Sequence, residues 1–376
     1  MHSPRSLTPR SITPSATSPR DRSMQHSAKH FGRSFAIVGA LGLASALALS
    51  ACAPKPTARS GSTESRAASP RQAPTLRLEP NAAEEERLAI ASEAAASADY
   101  ATALRIFRDL LAENPTLVDA HAGMGSVLEE QGELELAESS YARATRLDPT
   151  NFMAASGHGR VLEALGQFKL AVRAVQRALV ARPADVDANL AMARLLLATG
   201  QAEGSIAFAE RATRLAPDNG FAHLALARAY SRVGRGRDAI RQYETAVELI
   251  DPPADVMLAL INAYGEEKRF QEAANAAEAL TRTSPSAAAF ERHGWALFRL
   301  GDFDGSDRAY RMAIELDPAY WPALNGVGVN ALNLWIKNGR DAKDPLRDEA
   351  RLMLQRSMRA NPDQPKVAGL LLKYRL

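Results

Sequence analysis

Three arginines, Arg160, Arg194 and Arg228, stand 34 residues apart in this 376-residue chain. A guanidinium presents a planar fork of N–H donors that grips a carboxylate through two parallel hydrogen bonds. A row of them at one interval is equipped either to hold an extended acidic segment or to pair with acids of the same chain, such as Glu163. The row continues through Asn262 and Trp295, with Phe298 one turn further on. Other titratable residues form no such pattern. His121, His158, His223 and His293 are widely separated, and each falls where a helix packs on a neighbour. Glu129-Glu130 and Glu266-Glu267 are adjacent pairs, and adjacent helical residues do not face each other, so they are expected on solvated faces. After Cys52 there is no H-x-x-x-H pair, cysteine cluster, P-loop or serine nucleophile elbow; His26 and His30, which do have that spacing, precede it. The expectation is a chain that is not an enzyme and holds no metal or cofactor.

The elements that must position these side chains are set by a repeating unit, seen most plainly from Val118 to Asn151. Ala122, Met124, Gly125 and Leu128 recur at helical spacing up to a break at Gly132. Leu136, Ala137, Tyr141 and Ala144 then form a second helical stripe, ending at Asp148-Pro149. Gly125 and Ala137 are small where the two helices would cross, which lets the backbones approach to about 8–10 Å. Gly132 suits a left-handed helix end, and Pro149 is tolerated only before or within a first turn. The unit predicts two short helices and two turns.

The pattern Gly125, Leu128, Gly132, Ala137, Tyr141, Ala144, Pro149 returns as Gly159, Leu162, Gly166, Ala171, Val175, Ala178, Pro183. It recurs in Ala193, Leu196, Gly200, Ser205, Ala209, Ala212 and Pro217, and in Ala227, Tyr230, Gly234, Ala239, Tyr243 and Ala246. These residues resemble the tetratricopeptide repeat family over about three quarters of the chain. The resemblance implies an all-α, right-handed α-solenoid of about eight helix-turn-helix units, at 81–117, 118–151, 152–185, 186–219, 220–253, 254–286, 287–320 and 321–362. A capping helix is expected at 363–376. The sixth unit departs from the pattern, with Ile261 and Lys268 where small residues or glycine stand elsewhere. The eighth is about ten residues longer, the excess falling at 335–346. Either its helices are longer or a loop protrudes, and Asn338-Gly339 and Asp344-Pro345 favour a loop.

In such an array the first helix of each unit lines the concave face. Arg160, Arg194, Arg228, Asn262, Trp295 and Phe298 are the candidate peptide-binding residues of that groove. The aromatics belong either to the core or to an apolar pocket beside the basic stripe. The lysine and asparagine clamp of chaperone-binding family members is not reproduced, because Ser156, Leu190 and Leu224 precede the arginines by one turn. What the resemblance implies is a scaffold for a protein or peptide partner, with an acidic segment as its match. The alternative is an accessory module that recruits substrates for a glycosyltransferase or another envelope enzyme on a separate chain.

The formal charge of +3 invites a nucleic-acid reading. Six basic residues and one acid fall in residues 1–51, leaving 40 basic and 42 acidic residues beyond, so no nucleic-acid partner is expected. Phe35 to Ala51 is uncharged and rich in Ala and Leu, and it follows Lys29 and Arg33, the plan of a secretory signal peptide whose start is Met1 or Met24. It ends at Leu49-Ser50-Ala51-Cys52, which resembles the lipobox of bacterial lipoproteins. That resemblance implies acylation of Cys52, the only cysteine, and a lipid-anchored protein of the bacterial cell envelope facing the periplasm. Residues 53–80 are rich in Pro, Ser, Ala and Arg and read as a tether spanning on the order of 30 Å.

Overall fold

The computed structural model describes residues 79–376. The expected signal peptide, Cys52 and nearly all of the tether lie outside the described residues, as do His26 and His30. Among the described residues there are seventeen helices and no strand: α1 (Ala82–Ala96), α2 (Tyr100–Glu113), α3 (Val118–Glu130), α4 (Leu134–Leu147), α5 (Phe152–Ala164), α6 (Phe168–Ala181), α7 (Val186–Ala198), α8 (Ala202–Leu215), α9 (Gly220–Arg232), α10 (Gly236–Leu249), α11 (Ala254–Glu266), α12 (Phe270–Thr283), α13 (Ala287–Leu300), α14 (Phe303–Leu316), α15 (Trp321–Lys337), α16 (Pro345–Ala360) and α17 (Pro365–Tyr374). None is long and apolar enough to cross a membrane.

Each helix packs on the next in sequence, which makes eight hairpins stacked as an α-solenoid. Most odd-numbered helices also pack on the next odd helix, as α3 does on α5 and α7 on α9, while even helices do not pack on one another to a comparable extent. An array drawn together along one row of helices curves toward that row, so the odd helices form the inner face. Across Asp251-Pro252-Pro253, α9 and α11 come together less closely than α7 and α9 or α11 and α13.

The small residues of the pattern mark where aromatic rings insert. A Cβ on Gly125 would stand 3.0 Å from the Tyr141 ring, and one on Gly157 of the next unit would collide with the same ring. Tyr141 therefore fills a slot between two units. Tyr310 repeats the arrangement between Gly294 and Gly326. Ala137, Ala171, Ser205, Ala239, Ala273 and Ser306, which share one register position on the even helices, are shielded from solvent. The core is thus a series of clusters running along the array rather than a single enclosed centre.

The turns inside the units take the left-handed conformation at Gly132, Gly166, Gly200, Gly234 and Gly301. Ala98 and Lys268 stand at the same place in the first and sixth units, both with φ 62°. The sixth unit therefore keeps the turn without glycine, at a cost of about 1–2 kcal/mol. In the eighth unit both alternatives for the extra residues are realised. Its helices run to 17 and 16 residues, against 14 each in α13 and α14. The turn between them is fastened by Trp335 Nε1, which donates to the Asp341 carbonyl at 2.7 Å. Helix α17 covers the end of the array by burying Val367 against Phe298, Val329 and Leu354.

Candidate protein-binding face

The odd helices carry the arginine row on one stripe. On α5, Met153, Ser156, Arg160 and Glu163 are spaced three, four and three residues apart, which places them on one face. Asp187, Leu190, Arg194 and Leu197 repeat the stripe on α7. Phe221, Leu224, Arg228 and Ser231 do so on α9, and Asp255, Leu258, Asn262 and Gly265 on α11.

Within this stripe the arginines are paired across units. Arg160 donates from Nε and Nη2 to both carboxylate oxygens of Glu129, at 2.9 Å each. Arg194 does the same to Glu163, at 2.6 and 2.7 Å. Glu163 is therefore the partner of Arg194 in the following unit and not of Arg160 in its own. The Tyr141 hydroxyl also donates to Glu129, at 2.9 Å. Burial, with the nearby Glu129 carboxylate, raises its phenol well above the usual range. Glu129 is thus no solvated acid, contrary to the sequence expectation; it holds an arginine and a buried tyrosine together. Glu130 and Glu266 are exposed as expected.

The acid that clamps an arginine lies 31 residues before it. At that offset from Arg228 the chain has Leu197, so the third arginine makes a single 3.4 Å contact with Asp255 on α11. Asn262 is exposed, with Ser231 at the matching offset. Trp295 has Gly265 thirty residues before it, and the indole takes the space a Cβ there would need. Its ring meets Phe270 edge-on, with centroids 5.9 Å apart, and Arg299 stacks over Phe270 at 4.2 Å. Trp295 remains half-buried.

Phe298 requires correction. It is 4 % exposed, packed with Val329, Leu354 and Val367, and its ring meets Phe303 edge-on. The eighth unit and α17 close over it, so it belongs to the core and does not line the groove. Conversely, Met153 (65 % exposed) and Phe221 (60 %) are large apolar side chains on the arginine stripe that polar residue types alone do not reveal. Each lies seven residues before an arginine, a spacing that would have shown them.

Three of the four histidines among the described residues tie neighbouring segments together. His121 and His223 bond through Nε2 to the carbonyls of Pro115 and Pro217, at 3.1 and 2.9 Å. Asn189 donates to the Pro183 carbonyl at the equivalent place, at 3.0 Å. His158 meets Glu138 at 3.3 Å, and burial nevertheless lowers its pKa. Among the described residues no group of three or more His, Cys, Asp or Glu is placed to hold a metal ion. A cleft of about 560 Å³ lies among Arg237, Asp238, Arg241, Glu267 and Arg269. Its bases are met by acids, Arg237 by Glu267, Arg241 by Asp238 and Arg269 by Glu272, which leaves little net pull on an anion.

Among solved structures, the chain is similar to Pseudomonas aeruginosa pilF, at 19% identity over 56% of this chain and 96% of that one, with a TM-score of 0.48. It is also similar to a tetratricopeptide repeat protein from Parabacteroides merdae, at 13% identity over 73% and 100% of the two chains, with a TM-score of 0.46. For YrrB, described as a TPR protein with an unusual peptide-binding site, the values are 18% identity, 53% and 98%, and 0.44. No curated protein matches the sequence. The tetratricopeptide repeat model, by contrast, matches residues 88–152, 157–220, 224–288 and 258–321, together more than half of the sequence. On that match, with its hairpins stacked in the same register, the chain belongs to the tetratricopeptide repeat family.

Proposed function

We propose that the protein is a non-enzymatic scaffold that binds an extended segment of a partner protein along its odd-helix face, and that acylated Cys52 tethers it in the cell envelope. The observation that carries the binding reading is the stripe itself. From α5 to α13 it presents Met153, Phe221, Arg228, Asn262 and Trp295 on successive odd helices, beside Arg160 and Arg194, which are already taken up by Glu129 and Glu163. Large apolar and arginine side chains exposed together on a rigid surface are what a protein interface draws on. The tether reading is supported by the uncharged Phe35 to Ala51 segment ending at Cys52.

Photo-cross-linking from single positions in the intact protein tests the first part. Cross-links are expected from Met153, Phe221 and Asn262 and not from the even helices; labelling confined to the even helices would refute the assignment. For the tether, Cys52→Ser is expected to lose metabolic palmitate labelling and to leave the membrane fraction. A Cys52→Ser protein that stays with the membranes would rule out lipid anchoring through this cysteine.

A further inference from the structure

The cross-unit pairing makes the three arginines unequal. Arg160 and Arg194 each spend two donors on an acid of the preceding unit. At Arg228 that acid is replaced by Leu197, and the guanidinium makes only the 3.4 Å contact from Nη2 to Asp255. The Arg228 side chain is 47 % exposed and that of Asp255 54 %, so Asp255 is free to swing aside. The contact also spans α9 and α11, which pack less closely than α7 and α9. Around Arg228 the surface is apolar on two sides, with Phe221 exposed seven residues earlier on α9 and Leu197 and Leu258 half-buried on α7 and α11. Arg232, exposed one turn further along α9, adds a second positive charge, while Glu266 is the acid on the last turn of α11.

We propose that Arg228 is the anchoring contact of the binding face, taking a carboxylate of the bound segment in a bidentate grip while a large apolar side chain beside that carboxylate packs on Phe221. This deepens the scaffold reading and rests on it. The partner is a segment in which Asp or Glu stands next to Leu or Phe. Such a carboxylate would do for Arg228 what Glu129 and Glu163 do for the other two arginines, and Phe221 would lose its exposure to water. Arg160 and Arg194 are then a fixed part of the fold, already neutralised.

The test uses the full chain and two short fluorescein-labelled peptides, one alternating Leu with Glu and the other Leu with Gln, with binding read by anisotropy. The wild-type protein is expected to bind the Glu peptide about tenfold or more tighter than the Gln peptide. Arg228→Gln is expected to remove that difference. Leu197→Glu is expected to remove it as well, because it rebuilds the clamp that occupies Arg194 and Arg160. Leu197→Gln, which changes the same site without an acid, and Arg160→Gln are expected to stay within about twofold of wild type. Helix content by circular dichroism checks that each variant is folded. Equal binding of both peptides, no binding of either, or an Arg160→Gln loss matching that of Arg228→Gln would overturn the proposal. If the peptides fail while cross-links persist on the odd helices, the Arg228 assignment falls and the scaffold reading stands; cross-links confined to the even helices overturn the scaffold reading itself.

Discussion

The second and third units and the seventh fill matching slots of one repeat with opposite chemistry. In α3 and α5 the slot near the helix end holds Glu129 and Glu163, which pair with arginines at the surface, while the slot one turn after the start holds Ala122 and Ser156. In α13 the first of these slots holds buried Phe298, and the second holds Glu291, 2 % exposed. Arg292 Nε, on its chain neighbour, lies 3.0 Å from Glu291 Oε2 but is not aligned to donate a hydrogen bond to it, so that oxygen has no hydrogen-bond partner. The acid has moved inward and the apolar ring has taken its place. At Phe298 the difference lies in what packs on it: Val329 and Leu354 of the eighth unit and Val367 of α17. Register fixes the address of a residue in a repeat array, and the next unit decides whether that address is wet or dry.

Four perturbations break or sharpen this contrast. The largest effect is expected at Tyr310, whose ring is fully buried between Gly294 and Gly326. Tyr310→Ala should cost about 3–5 kcal/mol. Amide exchange should show protection lost from α13 to α17 while α3 to α7 keep theirs; equal loss at both ends would mean that the two regions do not open separately. Glu291 comes next. Burial raises its pKa above the ordinary carboxylate value of 4.5. The unfolded chain therefore ionises first as pH rises, and the native state loses stability from about that pH upward toward the raised value. Glu291→Gln removes the charge and should gain about 1–3 kcal/mol at pH 8, with no gain in acid below the unfolded value. A thermal-melt series across that range checks the sign, and a gain that grew toward acid would refute it.

Lys268→Gly relieves a left-handed φ in the sixth unit, whose counterparts in most other units are already glycine. A gain of about 1 kcal/mol is expected, seen as a higher denaturation midpoint; an equal loss would mean that the lysine side chain holds the turn in another way. The smallest effect is expected at Arg160→Gln. Its side chain is 54 % exposed, so breaking the pair with Glu129 should cost no more than about 1 kcal/mol. A larger loss would show that the Tyr141–Glu129–Arg160 chain acts as one cooperative unit.

The sequence by itself determined the hairpins, their order and the small-residue slots. Each of these depends on contacts within a unit or at one fixed offset, so periodicity alone exposes them. It also placed Arg160, Arg194 and Arg228 on a shared stripe, because helical spacing is local. Tertiary structure decided which arginines are occupied, since the clamping acids lie 31 residues upstream on another helix and no local pattern ties them to their partners. It also decided the fate of Phe298, covered by Val329, Leu354 and Val367 where its counterparts Glu129 and Glu163 reach the surface, and of Glu291, buried where α5 carries a half-buried serine. Position within a repeat follows from chain geometry; exposure follows from neighbours, and those are known only once the units are stacked.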